Sequence, residues 1–338
     1  MKQIQTDSGR QEWIDACKGI GIILVVLGHI THGYLAAGIF SDYYDVMKAI
    51  DSCIYSFHMT FFFMISGITF QLAYFRRLDE RFLSYKKQIV NLVWIFTVFS
   101  IVQWVFMMAF SGMTNNHYSV VDLLLFWLKP MSPYWYLWVL IIYYVLFGLA
   151  ARFKIIFNIL LIGSAIIGII GSFIGTSFNA VPKNLLFFIF PFTFGMLFMA
   201  KNMHQQFNKI LKLILVILSA TAFAAIIWFR NDLQGIPVLS IVCAFILSLS
   251  CIFVVKKLFG RCKLFVYLGQ RSLEIYVMHC FITAPCRKIL LYFNITNFWC
   301  NILLNLLLAI TLPLAARYIM KKLKIYGFVF KAGAILKK

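Results

Sequence analysis

The chain alternates long apolar segments with short polar connections that carry most of its charge. A helix needs roughly 20 apolar residues to cross a bilayer core about 30 Å thick. The apolar runs are continuous, unlike the alternating strands of about ten residues that build a membrane β-barrel. We therefore predict an all-α fold, a polytopic bundle of about ten transmembrane helices. The predicted spans are 18–38, 50–75, 89–110, 122–148, 155–175, 184–200, 210–229, 237–255, 265–286 and 298–318.

Two of these segments contain residues that disfavour a membrane helix. A lysine and two prolines interrupt the fourth, so its crossing part is expected at 134–150. Glu274 and Pro285 lie inside the ninth. The first seventeen residues are polar and of mixed charge, so we expect the first helix to remain as an anchor rather than be cleaved. No long polar connection separates the spans, which predicts a single membrane domain over 1–338.

Positive charge is concentrated in one set of connections. If the N terminus is cytoplasmic, all but six of the 31 lysines and arginines fall on the cytoplasmic side. The six are Lys48, Lys129, Lys183, Arg230, Arg287 and Lys288. This asymmetry is the positive-inside pattern, and it predicts an even number of spans with both termini in the cytoplasm. Membrane topology thus explains the net charge of +20, and we predict no nucleic-acid partner.

The composition supports an integral membrane protein. Hydrophobic residues make up 62% of the chain and charged residues 12%, about half the charged share of a soluble domain. These values exclude a soluble enzyme, a disordered chain and a disulfide-stapled secreted domain. The eight cysteines form no C-x-x-C pair and most lie in apolar runs. We expect them to be small buried hydrophobic residues, and we predict no metal or redox site.

His29 is the first candidate for chemistry because an ionisable group inside a span is functional by default. It follows Lys18 by eleven residues, close to three helical turns, so both side chains share a face about 16.5 Å apart along the axis. If Lys18 marks the cytoplasmic boundary, His29 lies near the bilayer midplane. A neutral imidazole there can take a proton from a hydroxyl. The alternative is a histidine that hydrogen-bonds to another helix. His32, one turn further, is expected to face outer water or a neighbouring helix.

The second candidates flank the second span. His58 precedes Arg76 by eighteen residues, about 27 Å along an unbroken helix, and is expected near the outer boundary. A basic cluster follows that span: Arg76, Arg77, Arg81, Lys86 and Lys87. Such clusters are usually topology signals, but arginines beside a cavity also bind phosphate through two parallel hydrogen bonds. Both interpretations stay open at this point.

Two further groups have a structural explanation that we favour. Ser272 and His279 are seven residues apart and share a helical face, but no third group in sequence completes a nucleophilic triad. Hydrogen bonds between helices explain both better than covalent serine chemistry. Asp15 precedes Lys18 by three residues, a spacing typical of a structural pair at a helix start.

Taken together, four stretches resemble the acyltransferase-3 family of bacterial integral membrane acyltransferases. They follow the family's order and spacing, and the resemblance covers nearly the whole chain. The stretches are Trp13–Gly21 running to Gly28-His29, Phe57-His58-Met59 through Ser66-Gly67, Tyr134–Trp138, and Ser272–Tyr276 through His279.

This resemblance implies transfer of an acyl group, usually acetyl, from cytoplasmic acyl-CoA to a hydroxyl of a surface polysaccharide or a lipid-linked sugar. It implies no bound cofactor, acetyl-CoA as co-substrate, and a multi-pass protein of the bacterial inner membrane. The basic residue and the histidine of the family's first span match Lys18 and His29, although many members carry arginine at the first position. Lysine keeps the charge but lacks the arginine fork. The arginines after the second span match Arg76 and Arg77.

We therefore expect His29 to be the general base on the acceptor hydroxyl. Lys18, Arg76 and Arg77 are expected to bind CoA phosphates. The residues expected to line the acceptor side or position the acyl group are His58, Trp135 and His279.

Three other functions are compatible with the sequence. A transporter or flippase for a lipid-linked sugar explains the spans and the polar groups but not the spacing between Lys18 and His29. A glycosyltransferase that uses a polyprenyl-phosphate sugar would rely on outer carboxylates, and chelator sensitivity would favour it. Its candidates are Asp42, Asp45 and Asp51. A structural assembly subunit would have no turnover.

Overall fold

The computed structural model describes residues 11–73, 78–110, 119–151, 153–173, 180–228 and 237–335, and these form helices and no strand. Seventeen α-helices are described in this part of the chain. They are α1 Glu12–Ala36, α2 Tyr44–Tyr55, α3 His58–Ala73, α4 Leu78–Ala109, α5 Val120–Leu124, α6 Trp135–Ala150, α7 Lys154–Phe173, α8 Ala180–Phe187, α9 Ile189–Ala200, α10 Met203–Gln206, α11 Lys209–Trp228, α12 Pro237–Val254, α13 Lys263–Gly269, α14 Ser272–Met278, α15 Cys280–Tyr292, α16 Phe298–Lys322 and α17 Tyr326–Phe330. A π-helical turn, Val255–Phe259, extends α12.

Six helical segments in the described residues are long and apolar enough to cross a membrane. They are Glu12–Ala36, Ser41–Ala73, Phe82–Ala109, Lys209–Trp228, Leu239–Phe259 and Phe298–Lys322. Three shorter apolar helices are Trp135–Ala150, Asn158–Gly168 and Asn184–Ala200. The all-helical membrane bundle is thus confirmed, whereas the count of ten spans, the side of the termini and the single domain remain predictions. The expected start of the fourth crossing near 134 agrees with α6.

The predicted span 265–286 is not one helix, and that expectation is wrong. It is divided into the end of α13, all of α14 and the first half of α15. The chain turns first after Gly269, which packs against α1, and bends again at His279 between α14 and α15. Pro285 lies inside α15 rather than at a break. These short helices bring backbone ends and polar side chains into the interior of the bundle.

The predicted span 50–75 is also interrupted. The helix stops at Tyr55 and restarts as α3 at His58. His58 opens α3 directly after this break and is 3% exposed. Because α3 is unbroken from His58 to Ala73, the place of His58 near the outer boundary stays a prediction. The break lies at Ser56 and Phe57, and α3 continues through the Ser66-Gly67 pair.

Glycines let two pairs of helices approach closely, the usual device of membrane helix packing. A Cβ on Gly19 of α1 would collide with the carbonyl oxygen of Phe265 in α13, and a Cβ on Gly269 would collide with the carbonyl oxygen of Asp15. On the other side, Gly67 of α3 and a glycine of α9 meet each other's helix backbones in the same way. Because α1 and α3 are fixed on backbone contacts, the side chains on their remaining faces have defined positions.

An ion pair holds α14 in place. The Glu274 carboxylate accepts from Arg317 Nε of α16 at 2.9 Å and from the Tyr326 hydroxyl of α17 at 2.8 Å. The acidic residue that made the ninth span doubtful is thus partnered from two other helices. This contact positions the short helix that leads into His279.

Candidate active site

Residues of helix α1 line two cavities. The cavity toward its Ala36 end has a volume of about 770 Å³ and includes His29; we call it the His29 cavity. The cavity toward its Glu12 end has a volume of about 260 Å³ and includes Lys18; we call it the Lys18 cavity. The predicted Lys18 and His29 pair therefore lies on one unbroken helix, with each residue in a different cavity.

Four side chains line both cavities and separate them. They are Val25, Met59, Tyr136 and Tyr276, and we call them the constriction. The two tyrosine rings lie 5.5 Å apart. Tyr276 donates its hydroxyl proton to the Pro133 carbonyl at 2.5 Å, and the hydroxyl groups of Tyr136 and Ser66 are 2.7 Å apart. The constriction is therefore held by hydrogen bonds as well as by packing.

His29 is half-buried at the cavity wall, next to a second histidine. Its ring centroid lies 5.0 Å from that of His279, which is fully buried. His279 Nδ1 is 2.7 Å from the Tyr276 carbonyl oxygen, which only accepts, so Nδ1 carries the proton and Nε2 is an acceptor. Cys280 Sγ is 3.2 Å from that Nε2. One ring nitrogen from each of the two histidines and the Cys280 sulfur lie within 4.8 Å of one another, and we call these three residues the imidazole–thiol cluster.

His58 contributes another oriented imidazole to the His29 cavity. Its Nδ1 is 2.7 Å from the Ile54 carbonyl oxygen of α2, so Nδ1 donates and Nε2 is left as an acceptor. The Tyr55 ring contacts His58 at a centroid distance of 4.8 Å and His32 at 5.5 Å. His58 opens α3 directly after the helix break at residues 56 and 57, and its side chain is buried.

His32 lies at the rim of the His29 cavity. Its side chain is 63% exposed, in agreement with the expectation that it faces water, and its Nδ1 is 3.4 Å from Asp51 Oδ1 of α2. It is therefore close to His29 along the helix but differs in having a carboxylate partner and solvent contact.

The aromatic stretch at the start of α6 serves both cavities. Tyr134 donates to the Val277 carbonyl of α14 at 2.8 Å, which ties α6 to the short helix. Trp135 lines the His29 cavity and stacks on Phe188, with ring centroids 5.6 Å apart. Tyr136 follows as part of the constriction. The structure thus brings Trp135, His58 and His29 to one cavity, with His279 directly behind His29.

The Lys18 cavity contains polar side chains from several elements. Asp15 and Lys18 of α1 lie there with Gln270 and Ser272, which flank the turn between α13 and α14. Ser272 and His279 do not meet, because Ser272 lines this cavity while His279 packs against His29. Arg76 and Arg77 lie outside the described residues.

Two residues of the His29 cavity were not singled out from the sequence. Cys280 was grouped with the other apolar cysteines, and only its position directly after His279 distinguished it. Arg287 was counted among the few basic residues off the cytoplasmic side, yet it is 3% exposed and lines the cavity. An arginine at the edge of a predicted span on the side poor in positive charge was the available signal.

The chain matches a known protein family. A family profile described as an acyltransferase domain matches residues 11–318, which includes every helix that forms the two cavities. The chain belongs to the acyltransferase-3 family. No curated protein and no solved structure matches it. The family supports a membrane acyltransferase.

In this acyltransferase the four stretches that carry the resemblance meet at the cavities. The first and second supply Lys18, His29 and His58, the third supplies Trp135 and the first tyrosine of the constriction, and the fourth supplies the second tyrosine. His279, also from the fourth stretch, packs against His29. An imidazole beside a cavity can remove a proton from a hydroxyl, and a separate cavity with a cation can hold a charged acyl donor.

Proposed function

We propose that this acyltransferase transfers an acetyl group from cytoplasmic acetyl-CoA to a hydroxyl of a surface polysaccharide or a lipid-linked sugar in the bacterial inner membrane. The observation that supports this most is the pair of cavities on one helix, with Lys18 in the smaller and His29 in the larger. In this reaction a charged donor comes from the aqueous phase, and the acceptor is a saccharide. Two separate compartments with a narrow connection for the acyl group suit such a reaction.

The donor enters the Lys18 cavity. Lys18 binds a phosphate of CoA there as a point charge, and Arg76 and Arg77 add the bidentate contacts that lysine cannot make. Gln88 of α4, the helix that follows the two arginines, also lines this cavity. The pantetheine arm then directs the thioester toward the constriction, the point at which the two cavities share walls.

The acceptor occupies the His29 cavity. His29 removes the proton from the acceptor hydroxyl as its oxygen attacks the thioester carbonyl; the carbon–sulfur bond then breaks, and the CoA sulfur receives the proton. His279 positions the His29 ring from behind, while His58 and Trp135 hold the acceptor. The acceptor oxygen thereby becomes part of an ester. Free CoA leaves through the Lys18 cavity, by which the donor entered.

The test measures alkali-labile O-acetyl groups on surface glycans by NMR in cells with the wild type, a deletion, His29→Ala or His32→Ala. His32 is the matched control, because it lies on the same helix one turn away. We expect the deletion and His29→Ala to lose the acetyl signal and His32→Ala to keep most of it, since removal of a general base lowers a rate by roughly 10²–10⁴-fold.

Membrane content of each variant is measured in parallel. Normal acetylation by a His29→Ala protein that is present in the membrane would remove the base assignment. No change in the deletion would remove the glycan acceptor. For the donor site, Arg76→Ala is expected to raise the KM for acetyl-CoA, and an unchanged KM would make that arginine a topology residue.

A further inference from the structure

Arg287 is a buried cation in the wall of the acceptor cavity. It lies on α15, and 3% of its surface is exposed. Its Nη1 donates to the Gly33 carbonyl of α1, and its guanidinium carbon lies 5.7 Å from the centroid of the Tyr34 ring. A Cβ on Gly33 would lie 2.9 Å from Nη1, so the glycine makes room for the guanidinium.

The groups around Arg287 are fixed. The Tyr34 hydroxyl hydrogen-bonds to Asn301 of α16, whose side-chain amide donates to the Ile295 carbonyl at 2.7 Å. Asn305, one turn further along α16, donates to the Thr283 carbonyl of α15 at 3.0 Å. Three helices therefore hold the cation and its neighbours in place. A preorganised guanidinium loses little freedom when it binds an anion.

The cavity around this cation is lined by basic and neutral groups. Its described lining includes Arg287 and three histidines and contains no aspartate or glutamate. Asp51, the carboxylate that contacts His32 at the rim, is not part of that lining. A positively charged, partly desolvated cavity favours a ligand of negative charge.

The position of Arg287 relative to His29 determines how far apart the anion and the reacting hydroxyl of such a ligand must be. Arg287 binds the backbone of Gly33, which follows His29 by one helical turn, or about 6 Å along the axis. That distance is on the order of the width of one sugar ring. An anion bound by Arg287 and a hydroxyl presented to His29 can therefore belong to the same sugar residue.

We propose that the acceptor carries a carboxylate or a phosphate on or next to the sugar that is acylated, and that Arg287 binds this anion. The proposal rests on the proposed function, because it names the chemical class of the acceptor. The bidentate geometry of arginine matches both anions. A hexuronic acid provides the carboxylate, and a glycosyl phosphate provides the phosphate.

The test uses protein in lipid nanodiscs and three probes that share a glucose ring. Methyl glucoside is neutral, methyl glucuronide carries a carboxylate, and glucose 1-phosphate carries a phosphate. Binding is measured by calorimetry, and transfer is measured with [14C]acetyl-CoA. We expect the wild type to bind at least one charged probe more tightly than methyl glucoside, by on the order of tenfold to a hundredfold. The probe that gains more identifies the anion.

Arg287→Gln is expected to reduce the ratio of charged-probe to neutral-probe affinity to about one. Arg287→Lys keeps the charge and is expected to retain part of this ratio, so the proposal remains testable if the glutamine variant fails to fold. Lys288→Gln is the matched control, because it removes the adjacent, exposed cation and should leave the ratio unchanged. Equal binding of the three probes, binding of none, or a ratio that survives Arg287→Gln would overturn the proposal. Anion preference through Arg287 without acetyl transfer would instead refute the proposed function and leave this site standing.

Discussion

The Arg317→Met substitution is expected to destabilise the protein, because it leaves a buried carboxylate without its cation. The Glu274 side chain is 7% exposed and accepts from Arg317 at 2.9 Å and from Tyr326 at 2.8 Å. In a membrane protein this carboxylate has little access to water when the cation is removed. The helix that it anchors, α14, carries Tyr276 and leads into His279.

The size of the effect follows from the exposure of the two partners. Removing one member of a fully buried ion pair costs about 3–5 kcal/mol. Arg317 is 20% exposed and the Tyr326 hydroxyl remains, so we expect a lower cost of about 2–3 kcal/mol. For a chain of 338 residues this corresponds to a fall in Tm of about 3–4 °C. In the double variant Glu274→Gln with Arg317→Met, no charge is left unpaired, and most of the loss should be recovered.

Thermal unfolding of all variants in one detergent, followed by intrinsic fluorescence, measures these differences. Lys322→Met is the control, because this lysine ends the same helix but is exposed, and we expect its Tm to match the wild type. An Arg317→Met protein as stable as the control would refute the reasoning. A double variant whose loss equals the sum of the single losses would show that the two charges do not interact.

Three further predictions concern packing, metal and pH. Gly19→Leu should abolish stable expression, because the leucine side chain would collide with the backbone of α13. Gly163→Leu is the control and should express normally, because there is open space at this position. The amount of each variant in the membrane measures both outcomes. Chelation by EDTA should leave acetyl transfer unchanged, because the proposed mechanism uses His29 as the base and no metal ion. Activity that is lost on chelation and then restored by zinc would make the imidazole–thiol cluster a metal site. Burial, with Lys256 and Lys212 nearby, lowers the pKa of His204 to about 4 from 6.5. The unfolded chain therefore binds more protons between these values, so the Tm should fall as the pH drops from 6.5 toward 4, and His204→Gln should reduce that fall.

The sequence was informative about helices that are continuous and long. The spacing of Lys18 and His29 predicted a shared face correctly, because α1 is an unbroken helix. The break between Tyr55 and His58 was missed, because nothing in local apolarity indicates that the helix stops at Tyr55. The division of the ninth segment was missed for the same reason, since Gly269 ends α13 only where it meets the backbone of α1.

The candidate site was predicted in part. Residues with unusual chemistry inside a span, such as His29 and His279, could be selected because their burial is unfavourable without a function or a partner. Arg287 and Cys280 had weaker signals in the sequence, because their positions in the site come from the cavity formed by α1 and α15. When helices are short and broken, the separation of two residues along the chain does not show whether they line the same cavity.

The constriction also has an electrical consequence. Its four side chains carry no charge, and polar cavities lie on both sides of it. Water that filled both cavities would bring the membrane voltage close to this thin layer, and most of the voltage would then fall across it. Moving one elementary charge through the full potential involves about 2.3 kcal/mol per 100 mV. In the proposed reaction a neutral acetyl group would cross without that work, whereas an ion would also have to leave its water. The same tyrosines that separate the two compartments would then act as an insulator, which lets a chemical group pass while the membrane keeps its voltage.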